Sequence, residues 1–384
     1  MKINIGVIFG GRTVEHDLSV LTAIQAMDYI DKEKYEVVPI YITKDLTWYA
    51  GGMLKYIDSF KDFRLIERYA TKVNLVNKDG RFVLQTTGLF KHEFKEIHLV
   101  FPMVHGYNME DGTIQGYLNL VGVPYVGADV YSSSVAQDKV FVREILEANG
   151  IDVVKYVWLT DTDYKNNKAS YYQKIEHLKY PLLVKPARLG GSIGIEIINR
   201  KEELDISIER ALKYDHKVLI EEIIEDTNEY NVAVLGSKTK MQVSDVEEII
   251  KKEEICTYKD KFVLADDDDA NIKRIVPANI KPDFENELKD LALKIFNLLN
   301  VRGTAKIEFL CDKKNKKIYF NEIDMVPNFY SHHLWENKNI DYKELMDILI
   351  KEEINNINER ENMTFTIDEN VFAPLTTKKI KEMK

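Results

Sequence analysis

Cysteine is scarce in this chain: two among 384 residues, Cys256 and Cys311, far apart in sequence. That excludes a disulfide framework and a cysteine-ligated structural metal. Long apolar runs are missing too, since no window approaches the roughly 20 residues of a spanning helix. The opening MKINIGVIFGG is a strand running into glycines, not a charged segment followed by a long apolar stretch, so no secretory leader is expected. Positive charge is in deficit, with 53 Lys and Arg against 63 Asp and Glu and a formal net charge of −10. Such a chain binds nucleic acid and anionic membranes poorly. The chain is read as a cytoplasmic globular protein, long enough for two or three domains that each bury a core.

Strands and helices alternate at the start. Lys2 to Phe9, Tyr35 to Ile42, Ile97 to Val104 and Gly122 to Val126 are expected strands; Val14 to Ile30 and Thr113 to Val121 have helical spacing. This pattern predicts an open α/β sheet, with ligands beyond the carboxyl ends of its strands, where Gly10–Gly11 and His105–Gly106 fall. From about Ser132 the texture changes. Ser134 to Asn149 is an expected helix, Tyr180 to Lys185 and Lys217 to Glu222 are expected strands, and Tyr230 to Leu235 opens a third region. The polar stretch Lys251 to Asn271 is expected to be a loop. Asp283 to Leu299 follows as a helix, and Ala305 to Leu310 with Lys317 to Asp324 as a hairpin.

That hairpin carries the strongest chemical signal. Side chains alternate faces along a strand, so Lys306 and Glu308 share one face, as do Glu322 and Asp324. A turn centred on Asn315 sets Glu308 opposite Glu322 and Lys306 opposite Asp324. Facing like charges destabilise a sheet, so the three carboxylates require a cation, and one lysine is not enough. Mg²⁺, which takes carboxylates together with nucleotide phosphates, is the natural candidate. The competing reading is a solvated acidic face.

The segment VKPARLGGSIGIEII follows another strand. Gly190, Gly191 and Gly194 let backbone amides approach an anion, and Lys185, Arg188 and Ser192 add donors. It is neither a Walker A loop nor a dinucleotide fingerprint, because no Lys–Ser/Thr closes it and it leads into a strand. A plain hairpin loop is the alternative. Glu221 and Glu222, with Ile223 and Ile224 behind them, could offer backbone groups to a purine and a carboxylate to ribose; Glu229 is a second ribose candidate.

Taken in order, FGGRTVEHDLSVLTA, VHGYNMEDGTIQGYLNLVGVPYVGADVYSSSVAQDK, YPLLVKPARLGGSIGI, VLIEEII and YFNEIDMVPNF resemble the motifs of the D-alanine–D-alanine ligase family, through about Leu334. The resemblance implies an open α/β (pre-ATP-grasp) domain over residues 1–127. A two-part ATP-grasp fold would follow, with a central subdomain over 128–222 and a C-terminal subdomain with the metal site over 223–361; residues 362–384 would be a peripheral tail. It implies ATP, two Mg²⁺ ions (or Mn²⁺), amino-acid-like substrates and a homodimer. By motif position, Glu15 would hold the first substrate's amino group, with His105 beside it. Arg143, Lys185, Glu221, Glu222, Ile224, Glu229, Lys261 and Asn321 would face the nucleotide. Ser192 and Lys306 would assist catalysis, Asn328, His333 and Leu334 would face the substrates, and Glu308, Glu322 and Asp324 would bind metal.

The chain departs from the family where substrates sit. Gly191 replaces a serine that would bond towards Glu15, and Phe262 falls at that set's tyrosine. Lys306 replaces an arginine and lacks its bidentate fork. Glu308 and Asp324 replace Asp and Asn, Asn328 replaces Gly, and His333 replaces a serine or similar residue. Three readings follow: a ligase for two D-alanines; a ligase for another amino acid, hydroxy acid or small peptide; and a catalytically silent nucleotide-binding protein. A nicotinamide dehydrogenase is disfavoured, because GVIFGG lacks the spaced glycines of that fold.

Overall fold

The computed structural model describes residues 2–237, 240–251, 272–361 and 364. The first of three sheets is built on β1 (Ile3–Gly10), a nearly continuous apolar strand covered on both faces. It pairs in parallel with β2 (Tyr35–Ile42) and β7 (Leu99–Pro102). Beyond β2 an antiparallel meander, which short and charged strands hid from sequence reading, completes the order β6-β5-β4-β3-β2-β1-β7. Its members are β3 (Trp48–Ala50), β4 (Thr71–Lys78), β5 (Arg81–Thr86) and β6 (Glu93–Ile97). The single strand expected over Ile97–Val104 divides at His98, whose N–H turns to Asn4 O at 2.9 Å. The strand expected at Gly122–Val126 reduces to one bridge between Tyr125 and Val100.

Helix α1 (His16–Tyr29) starts at the carboxyl end of β1, and α2 (Thr113–Val121) covers the sheet's other face. The helix expected over Ser134–Asn149 is two, α3 (Val130–Gln137) and α4 (Lys139–Ala148). Asp138 breaks it: its backbone leaves the helical region and its carboxylate caps the N–H groups of Val140 and Phe141. The same carboxylate accepts from buried Lys217 at 3.0 Å. An aspartate that satisfies two orphan amides competes with helix continuation, and here it wins.

The second sheet runs β10-β9-β11-β8 and the third β14-β13-β12-β15-β16. The second consists of β8 (Tyr156–Thr160), β9 (Leu182–Pro186), β10 (Glu196–Ile198) and β11 (Lys217–Glu222), with α5 (Leu204–Ala211) buried beneath. The third consists of β12 (Thr227–Ser237), β13 (Lys240–Lys251), β14 (Ile272–Ile275), β15 (Gly303–Asp312) and β16 (Lys317–Asp324). Leu288, Ala292, Ile295 and Phe296 of α6 (Pro282–Leu298) fill its core. The first and third sheets share a core, in which Ile5 and Ala23 pack with Leu235, Trp335 and Leu345 of α7 (Tyr342–Glu361). That shared core fixes the end of β1 relative to the β15–β16 hairpin. No helix among the described residues is long and apolar enough to cross a membrane.

Candidate functional site

The hairpin has the register its alternation predicts, with Lys306 opposite Asp324 and Glu308 opposite Glu322. A bulge follows at once, because Phe309 pairs with Phe320 and leaves Asn321 as an extra residue. Two consecutive residues, Asn321 and Glu322, are therefore half-buried instead of alternating. Asn321 Nδ2 lies 3.5 Å from Glu308 Oε2. Lys306 pairs with Glu308 at 2.9 Å. Lys139, a buried lysine that closes the second quoted motif and was given no role there, pairs with Glu322 at 2.6 Å and donates to Leu189 O at 2.8 Å. Burial pushes Asp324 up to about 6, against the pull of Lys306. Burial alone would lower Lys306, but Glu308 and Asp324 outweigh it and keep the ammonium charged.

Across the cavity stands Glu15. It precedes α1 without capping it, so helix placement does not account for this buried carboxylate. Two glycines close on it. A Cβ at Gly106 would come within 2.4 Å of Glu15 Oε2, and one at Gly190 within 2.9 Å of Oε1. His105 is buried beside it, with Nε2 at 3.0 Å from Thr22 Oγ1 and Nδ1 at 3.6 Å from Glu110. Glu110, which sequence reading passed over, accepts from Gly106 N at 2.8 Å. Its only sequence signal was its place in the MEDG run after His105.

Glu15, His105, Glu110, Lys139, Gly190, Gly191, Glu229, Asn231, Lys306, Glu308, Glu322, Asp324 and Asn328 line one cavity. The hairpin acids, the glycine loop and the Glu15 carboxylate thus meet in one place. Asn231 Oδ1 and Asn328 Oδ1 on its wall are buried without a hydrogen-bond partner, leaving acceptors for a ligand.

Other expected site residues lie elsewhere. Arg143, Lys185 and Glu221 face one another in a buried cluster off the cavity wall. Arg143 bonds Glu221 at 3.0 Å and the carbonyls of Lys139 and Asn321, and Lys185 pairs with the other Glu221 oxygen. Burial would raise Glu221, but Lys185 and Arg143 hold it below the usual carboxylate range; burial lowers Lys185. Glu222 accepts from Lys179 N at 3.1 Å. Ser192 and Ile224 are half-buried and do not line the cavity, and Ser192 adopts a left-handed backbone, φ 58°. His333 turns to Glu247, 2.9 Å away, and Leu334 is buried in the core. Glu247, fully buried, also holds Arg274 at 3.2 Å, and Arg274 does reach the cavity. Lys261, Phe262 and Cys256, with most of the expected Lys251–Asn271 loop, lie outside the described residues.

The donors suit a hard cation in part. They are oxygens on one hairpin face, yet among the described residues no three acid, His or Cys side chains form a cage. An ion held there would need further ligands from phosphates and water.

Two acids meet at the Glu15 end. Burial, then Glu110, pushes Glu15 up to about 8, and burial pushes Glu110 up to about 7. Both lie above the 4.5 of an unfolded glutamate, so their contribution to stability is full below that pH and is lost as pH rises through 7 and 8. The melting temperature of Glu15→Gln relative to the natural protein is expected to climb between about pH 5 and about pH 8. A difference that stays constant over that interval would contradict the burial assigned to this carboxylate.

Similarity to known proteins extends over most of the chain. The family model described as D-ala D-ala ligase N-terminus matches residues 4–128, and D-ala D-ala ligase C-terminus matches residues 145–351. The D-alanine–D-alanine ligase of Thermosipho africanus is 37% identical over 371 residues, 96% of this chain and 98% of that one. Among solved structures, the D-alanine–D-alanine ligase of Coxiella burnetii superposes with a TM-score of 0.79 at 26% identity, covering 94% of this chain and 96% of that one. The VanG D-Ala:D-Ser ligase of Enterococcus faecalis gives 0.77 at 29% identity, covering 92% and 100%.

Proposed function

The chain belongs to the D-alanine–D-alanine ligase family, ATP-dependent carboxylate–amine ligases of the ATP-grasp fold, and we propose that it joins two D-alanine molecules for peptidoglycan synthesis. One observation carries the reading: a buried carboxylate suited to an ammonium faces an acid-and-lysine hairpin across a single cavity. Glu15 holds the ammonium of the first D-alanine and so aims its carboxylate at the hairpin. A carboxylate oxygen attacks the γ-phosphorus of ATP, the bond to the β-phosphate oxygen breaks, and ADP leaves with that electron pair. The amine of the second D-alanine then attacks the acyl phosphate carbon. Inorganic phosphate departs from the tetrahedral intermediate, and the amine loses its proton.

Lys306 and Lys139 offset negative charge growing on the transferred phosphoryl group, which is where positioned cations act most strongly. Glu308, Glu322 and Asp324 would hold Mg²⁺, or Mn²⁺ in its place. The metal, two ions by the family pattern, would neutralise phosphate oxygens. Gly190 and Gly191 line the same space, and excluding water there protects the acyl phosphate from hydrolysis. A cytoplasmic homodimer is part of the proposal.

A second reading, a different acceptor, is supported by His333. Its ring is engaged by Glu247, and Arg274 on the cavity wall offers a guanidinium in that region. Phosphate release from MgATP, measured against D-alanine, D-serine, D-lactate and the L-amino acids, separates the two. Turnover with D-alanine alone is the expected result; no turnover unless a second acceptor is added would replace the first reading with the second.

A further inference from the structure

The glycine-rich loop after β9 has no hydroxyl at position 191 with which to reach Glu15, yet Gly190 is seated against that carboxylate. Something else must hold the loop down. Two residues before Gly190, the Arg188 guanidinium lies over the Tyr107 ring, 5.0 Å from its centroid. Tyr107 directly follows Gly106, the other glycine pressed against Glu15. The two loops that sandwich the carboxylate are thus joined to each other just outside it, in a closed circuit from Gly106 through Tyr107, Arg188 and Gly190 back to Glu15.

Arg188 is well prepared for this. Asp215 accepts from its Nε and Nη2 and, at 2.8 Å, from its backbone N–H, while Gln137 donates to its carbonyl at 3.0 Å. The guanidinium is planar and fixed by a fork of hydrogen bonds, the geometry in which it stacks on an aromatic face. Tyr107 is half-buried, so the ring contact is partly shielded from water.

We propose that Tyr107 is a positioning residue, whose ring carries Arg188 and thereby seats the glycine-rich loop over the substrate held by Glu15. This rests on the reading of Glu15 as the ammonium site. Tyr107 is not among the residues that would meet ATP or the reacting atoms; it acts through the loop.

The test compares the natural protein with Tyr107→Phe, which keeps the aromatic face, and Tyr107→Leu, which removes it. Amide hydrogen exchange over residues 188–194 is measured along with D-alanine and MgATP kinetics. In Tyr107→Leu the loop is expected to exchange faster and the KM for D-alanine to rise about three- to tenfold, the size of a partly shielded cation–π contact. The KM for MgATP, kcat and exchange in the third sheet stay unchanged, and Tyr107→Phe matches the natural protein. Unaltered loop exchange in Tyr107→Leu would overturn the proposal, as would a Tyr107→Phe variant as fast-exchanging as the leucine variant. The exchange measurement needs no turnover, so it still decides about Tyr107 if D-alanine is not the substrate.

Discussion

Glu322→Gln is expected to lower kcat for ATP-dependent ligation by about 10²- to 10³-fold while leaving the fold intact. Glutamine keeps the volume and half the acceptors of the side chain but removes the charge. Glu322 faces Glu308 across the hairpin and pairs with Lys139. In the folded protein without nucleotide, neutralising it relieves a like-charge pair and leaves one lysine less well compensated. These effects are of opposite sign, so melting temperature should change little. In the reacting complex the balance differs. The cations gathered at the transferring phosphoryl group include the one that Glu322 would ligate and the ammonium of Lys139 that it orients. Loss of one anchored carboxylate weakens both. Steady-state phosphate release and a thermal melt on the same preparation check this, and near-normal turnover in a folded variant would remove the metal assignment.

Glu221→Leu is expected to cost about 3–5 kcal/mol of stability, the penalty for removing one partner of a buried ion cluster. Arg143 is wholly buried and Lys185 nearly so, and Glu221 is the carboxylate that both engage. A leucine fills space but leaves two positive charges with no anion between them, in a region from which water is excluded. Replacing exposed Glu225 with Gln should fall within about 0.5 kcal/mol of the natural protein. Urea denaturation of the two variants side by side is the check, and equal midpoints would show the cluster to be solvated. The cluster joins α4 to β9, β11 and, through Asn321 O, the bulge of β16, so its loss should loosen the hairpin as well.

The register of the hairpin was legible from alternation alone. A single assumption, a turn centred on Asn315, was enough to pair Glu308 with Glu322 and Lys306 with Asp324, because a strand's side-chain period leaves only two faces to choose from. The bulge at Asn321 was not legible, since an extra residue has no compositional mark when both neighbours are polar. The helix break at Asp138 was hidden for a related reason: the apolar spacing runs through it, and only a tertiary partner, Lys217, shows that the aspartate is better used as a cap. Lys139 and Glu110 were missed because burial of a charged residue depends on neighbours distant in sequence. Lys185, Arg143 and Glu221 have the residue types of a nucleotide site, and in the fold they pair with one another, with Arg143 Nε buried and unbonded. His333 likewise stands at the right place in the motif and turns to Glu247, a residue 86 positions away.

In the proposed reaction Glu15 aims a substrate carboxylate at the γ-phosphate, so that the carboxylate is phosphorylated before the amine attacks. Turnover of D-alanine labelled with ¹⁸O in its carboxyl group tests it. One labelled oxygen should appear in the inorganic phosphate for each dipeptide formed. Dipeptide accompanied by unlabelled phosphate would mean that the carboxylate never bonded to phosphorus, and the assignment of the cavity's two ends would be wrong.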